Sequence, residues 1–94
     1  MFRNALLIAL LGLASCAEAR MERAVEAAAT CDVDADCALV VAKCPYGCFV
    51  AVNVAEVDRI ERRLDRAPST CDYDCIEALG VFCDEGTCQV DYGE

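Results

Sequence analysis

Nine cysteines in 94 residues are the main chemical resource of this chain. They are Cys16, Cys31, Cys37, Cys44, Cys48, Cys71, Cys75, Cys83 and Cys88. Thiols at this density can bond to each other, hold a metal, or act as nucleophiles. The chain has no histidine, so no Cys-His or Ser-His pair can form. Ser69, the only serine after Cys16, follows Pro68 in a loop. No CxxC pair is present for thiol exchange or for a zinc knuckle. Mutual disulfide bonding is the remaining use, and it requires an oxidising compartment.

The carboxylates offer a second kind of chemistry. Asp32, Asp34 and Asp36 alternate like the first ligands of a calcium loop. The sixth position is then Cys37 where glycine is required, and the twelfth is Lys43 where a bidentate glutamate is required. A solvated acidic loop is expected instead, with no metal and no cofactor. Other acidic residues are plentiful, but a chain this small can hardly shape a deep cleft around two of them. No enzymatic activity is expected. The net charge of -9 repels phosphate backbones, so nucleic acid is not an expected partner.

The odd cysteine count points to the first segment. Met1 to Asn4 carries Arg3 and the terminal amine, and Ala5 to Leu13 is an uninterrupted apolar run. That run is shorter than the roughly 20 residues needed to cross a bilayer and matches an export signal. Leu13-Ala14-Ser15-Cys16 resembles the lipobox of bacterial lipoproteins. The resemblance implies cleavage just before Cys16, a diacylglycerol on its thiol and an acyl chain, such as palmitate, on its new amine. Ala17, which is not Asp, fits that family's rule for outer-membrane sorting. One acyl chain holds a protein marginally, while two or more hold it stably. The alternative is an ordinary cut after Ala19 at the small-residue site Ala17-Glu18-Ala19, releasing a soluble chain. Either way Cys16 leaves the thiol count, and the other eight suit four disulfides.

Elements must then position these cysteines. Residues 17 to 30 contain no glycine or proline and many good helix formers. Met21, Val25 and Ala28 or Ala29 make a thin apolar stripe, so a short helix or a mobile tether is expected there. Cys31 to Cys37 reads as a loop, and Ala38 to Ala42 as a buried strand. Cys44-Pro45-Tyr46-Gly47 carries the residues of a turn, and Phe49 to Val52 is a second apolar run. Asn53 can cap a helix from about Val54 to Arg66, with Glu56 reaching back. Val57, Ile60 and Leu64 share its apolar face. Arg62, Arg63 and Arg66 suit its C-terminal end and are expected to form a solvated face. Val81 to Asp84 and Thr87 to Val90 flank Glu85-Gly86 as a β-hairpin. In that register Cys83 faces Cys88. The two could bond to each other, but such pairs more often point together into the core and bond elsewhere. The strand near Leu39 to Val41 is a candidate third strand of this hairpin.

CPYGC at 44 to 48 and CDYDC at 71 to 75 share the spacing C-x-Y-x-C. This spacing resembles helical-hairpin peptides, in which two CxxxC motifs bond to each other. Pro45 and Gly47 oppose a helix in the first copy. The intervening helix separates the copies by ~20 Å unless its flanks fold back. The expectation is that each motif fastens one end of the helix to the sheet, with a chance match between two tight loops as the alternative. Cys31 to Cys48, with Asp36 before the second cysteine and Lys43 before the third, is similar to part of the whey acidic protein (four-disulfide core) module. That likeness implies a protease inhibitor with Lys43 to Tyr46 as bait.

The expected product is an α+β, disulfide-rich domain. One main helix packs on a short antiparallel sheet with a C-terminal hairpin. Residues 1-15 are the removed signal, 16-30 the anchor and helical tether, and 31-94 the stapled domain. As a whole it resembles small cysteine-rich bacterial lipoproteins: exported, held in the cell envelope, at the outer membrane, through acyl chains on Cys16. A binding or structural role is expected, with a possible protein partner met by Pro45, Tyr46 and Phe49 on a rigid loop. The protease inhibitor is the alternative.

Overall fold

A computed structural model describes residues 16-72 and 74-93. The leader and Leu13-Ala14-Ser15 lie outside the described residues. The elements in chain order are α1 (Cys16–Ala28), β1 (Cys37–Val41), β2 (Phe49–Asn53), α2 (Val57–Arg66), β3 (Gly80–Asp84) and β4 (Thr87–Asp91). Short 3-10 turns occupy Asp34–Asp36 and Val54–Glu56. Over the described residues the protein is an α+β domain with two helices, two separate antiparallel hairpins and four disulfides.

The β1–β2 hairpin is the middle layer. Its register runs from Cys37 opposite Asn53 to Val41 opposite Phe49. Side chains alternate across a strand. Val40 and Val52 therefore face the helices, where Met21, Ala28, Ile60 and Leu64 complete one apolar core. Cys37 and Ala51 face the opposite way, into a second core with Ala29, Cys31 and Cys88. The β3–β4 hairpin covers that second face. One sheet thus separates two small cores, each too thin to stand alone.

The candidate third strand is not where the sequence suggested. β1 pairs with β2, because the turn at Cys44 to Gly47 returns the chain at once. The open edge of β4 is taken by the residues that leave α1. Thr30 bridges Thr87, Cys88 N–H donates to Ala29 O at 2.7 Å, and Cys31 N–H donates to Gly86 O at 3.0 Å. The hairpin register is as expected, with Cys83 opposite Cys88 and Asp84 opposite Thr87. Glu85 and Gly86 have φ of 49° and 82°, the two positive values a type I′ turn demands.

α1 is docked along its length. Met21 is 4% exposed and Ala28 1% exposed, and Ala24 and Val25 pack beside them. The thin stripe suffices because α2 and β2 meet it from two sides. α2 begins through a 3-10 turn. The Asn53 side chain accepts from Ala55 N–H at 3.0 Å and donates to Thr30 O at 2.9 Å, tying cap to chain entry. Glu56 turns to Arg59 at 2.7 Å rather than back to the cap. Ala67 N–H closes the last turn on Arg63 O and Leu64 O, and Pro68 follows.

The cross-links differ from the expected arrangement at the C-x-Y-x-C motifs. Cys44 bonds Cys71 and Cys48 bonds Cys75, with Cα separations of 5.3 and 5.8 Å. The motifs thus join each other rather than fastening opposite ends of α2. The flanks fold back to allow it. Tyr46 Oη donates to Pro68 O and Ser69 Oγ donates to Cys44 O, both at 3.0 Å. Cys83 and Cys88 point inward and bond elsewhere, to Cys31 and Cys37.

Two outcomes follow. Met21→Ala should cost about 2–5 kcal/mol by urea denaturation, the range for deleting a buried Met side chain; a mere tether would lose nothing. Once Cys31–Cys83 has closed nearly the same loop, the Cys37–Cys88 bridge adds about 3 kcal/mol by chain entropy, and its two sulfurs also fill a buried core whereas Cys75 is exposed. Cys48–Cys75 adds only about 2.5 kcal/mol once Cys44–Cys71 has closed the same loop. Paired Cys→Ala substitution should therefore damage the fold more at Cys37/Cys88 than at Cys48/Cys75.

Candidate functional site

Eight cysteines are consumed in disulfides, and Cys16 is the free one among the described residues. It is the first residue of α1 and is half-buried. Sγ atoms of Cys31, Cys37 and Cys88 lie within 4.8 Å of one another. All three are bridged, so two disulfides stack in the second core and offer no thiolate.

The candidate binding loop is held firmly. Tyr46 N–H donates to Lys43 O at 2.7 Å, closing a turn, and Cys44 within it is buried. Tyr46 is half-buried: its ring packs on the helix-side core and its hydroxyl reaches Pro68. With Pro45 it forms one wall of a groove of about 300 Å³. The other wall is α1, through Glu18, Met21, Glu22, Val25 and Glu26. The glutamates that recur every four residues stand along its rim, and no basic residue lines it. Phe49 is not part of this groove. It sits on the other face of β2, tilted against Tyr92 with ring centroids 6.5 Å apart, and lines a neighbouring groove of about 550 Å³ with Val25, Thr87 and Val90. Lys43 to Tyr46, the bait segment implied by the whey acidic protein likeness, is this same bent, half-buried turn.

The aspartate loop has a role that alternation alone did not reveal. Asp36 Oδ2 accepts from Asp32 N–H at 2.8 Å and Val33 N–H at 3.2 Å. Asp34 Oδ1 accepts from Cys83 N–H at 2.8 Å, across 49 residues of sequence. Two of the three carboxylates thus latch backbone: one shapes the loop and one pins the loop to β3. The two amide donors hold the Asp36 carboxyl below its ordinary value of 3.8.

The pH consequence has a definite sign. A depressed carboxyl favours the fold above its unfolded value and loses that contribution as pH falls through the lower folded value. Asp36→Asn should lower the urea midpoint at neutral pH, and the gap from the parent should close below pH 3.8. Asp34→Ala should cost about 1 kcal/mol, as one amide–carboxylate bond at the surface.

Set against known proteins, the chain matches no family model, no curated protein and no solved structure.

Proposed function

We propose that this chain is a lipid-anchored, disulfide-stapled binding or structural module of the cell envelope, held at the outer membrane by acyl chains on Cys16. One observation carries the reading. Eight of nine thiols are used in four bridges, and the one left free among the described residues is the cysteine that ends Leu13-Ala14-Ser15-Cys16. A free thiol in an oxidising compartment is a liability unless modified.

The docked helix supports the same reading in physical terms. Met21 is buried five residues after Cys16, a rise of ~8 Å along a helix. An anchor at Cys16 therefore carries the domain on a short, stiff arm, and the whole body stays near the bilayer. No helix among the described residues is long and apolar enough to cross a membrane. The groove walled by α1, Pro45 and Tyr46 is the surface offered to a protein partner. Its acidic rim and apolar floor suit a basic, partly apolar segment.

Intact mass of the native protein from the membrane fraction tests this, before and after reduction with alkylation. The expected chain begins at Cys16, carries acyl mass, and takes up eight alkyl groups only after reduction. Cys16→Ser should remove the acyl mass and leave the four bridges intact. A soluble chain beginning at Arg20 would overturn the anchor.

A further inference from the structure

The chain holds eight basic residues. Apart from Arg3 and Lys43, all are arginines on the two helices. On α2, a repeat of 3.6 residues per turn puts Arg59, Arg62, Arg63 and Arg66 on one flank and Asp58, Glu61 and Asp65 on the other. The structure bears this out. Arg59, Arg62, Arg63 and Arg66 line one groove of about 360 Å³. Asp58, Glu61 and Asp65 line another on the opposite side of the buried Ile60–Leu64 ridge, with Arg62 at the crest between them.

A merely solvated face has no reason to segregate its charges. Arg59 with Arg63, and Arg62 with Arg66, are like-charge pairs at four-residue spacing, which weaken a helix. Mixed signs would stabilise it instead. Among the described residues the one ion pair is Arg59 with Glu56, so Arg62, Arg63 and Arg66 stand exposed with no carboxylate partner there.

The groove's other wall is Ala24 of α1. On α1 the same helical repeat places Arg20 on Ala24's side, Glu18 and Glu22 on the far side, and Arg23 on the outer face between Arg20 and Glu26. Cys16 is four residues before Arg20 and seven before Arg23, so it falls on the arginine strip. The four arginines of α2 thus line one groove, and Arg20 and the free thiol fall on the adjoining flank of α1, in a chain with net charge -9.

We propose that this face of α1 and α2 lies on anionic phospholipid, with guanidinium groups on the headgroup phosphates. Clusters of four to eight basic residues on amphipathic helices are attracted to anionic leaflets, about fivefold in binding for each arginine near the surface. Guanidinium suits phosphate because its donors match two oxygens at once. The nearness of the bilayer rests on the anchored reading of Cys16. The arginine–phosphate contact does not, and it is measured separately.

The experiment uses the processed protein as purified, whatever its first residue, with vesicles of phosphatidylcholine alone or with about 30 mol% phosphatidylglycerol. Phenylglyoxal modification of each arginine is followed by mass spectrometry. Modification of Arg59, Arg62, Arg63 and Arg66 should slow about tenfold on the anionic vesicles relative to the neutral ones. About 0.5 M salt should restore the rate, since exposed charges are then screened within a few ångströms. Replacing Asp58, Glu61 and Asp65 with their amides should leave the protection in place. Replacing Arg59 and Arg63 with Gln should weaken it at Arg62 and Arg66, with intact disulfides showing that the fold is kept. Equal rates on both vesicles would overturn the proposal. So would equal protection by inorganic phosphate without a bilayer, which would mark a small-anion site. Protection without acyl mass would remove the anchor and keep the arginine face; acyl mass without protection would do the reverse.

Discussion

The Cys37–Cys88 bridge is the contact on which the rest of the molecule depends. It joins β1 of one hairpin to β4 of the other, where the apolar filling is otherwise Ala29, Ala51 and the neighbouring Cys31. Two sheets faced by alanine bury too little area to hold together by the hydrophobic effect at about 25 cal/mol for each Å². Sulfur supplies both the filling and the covalent link. The Cys31–Cys83 bridge beside it closes nearly the same length of chain, so the two act as one double staple. A domain this small exposes much of its surface and needs such staples.

With that layer fixed, the other face of β1–β2 is free to carry helices. Val40 and Val52 present a narrow apolar strip, and α1 and α2 divide it between them. The remaining two bridges hold no core. They bind the segment after α2 to the β1–β2 turn, and Cys71 and Cys75 are exposed. Their effect is to hold Tyr46 and Pro45 in place against α1. Structural sulfur thus lies in the second core, and site-shaping sulfur lies at the loop.

What was legible in the sequence was local. The Asn53 cap, the Ile60–Leu64 face and the Pro68 stop are written within sixteen residues, and the helix lies where they put it. Glu85-Gly86 set the register of the last hairpin, because a two-residue turn leaves one pairing. Features that span long separations were not legible. The two C-x-Y-x-C motifs join because Tyr46 and Ser69 draw the chain back beside Pro68 and Cys44, and no spacing rule encodes that. Asp34 reads as one carboxylate of a polar run until Cys83 arrives beside it from 49 residues away. Docking of α1 was open for a similar reason. A stripe of Met21, Val25 and Ala28 is weak alone and sufficient only once α2 and β2 have made a place for it.

Charge then gives the docked helix its direction. α1 separates two fields of opposite sign: its own glutamates line the groove shared with Tyr46, and the arginines of α2 line the groove on its other side, beside Ala24. Neither helix could hold this division as a free tether, since a rotating helix averages its flanks. Burial of Met21 and Ala28 stops the rotation. The core contact is therefore what converts a sequence of alternating charges into two faces. For a chain attached at Cys16, a basic face toward anionic headgroups leaves the acidic groove turned toward the aqueous side. The same few buried atoms that stabilise α1 would then set which surface a partner can reach.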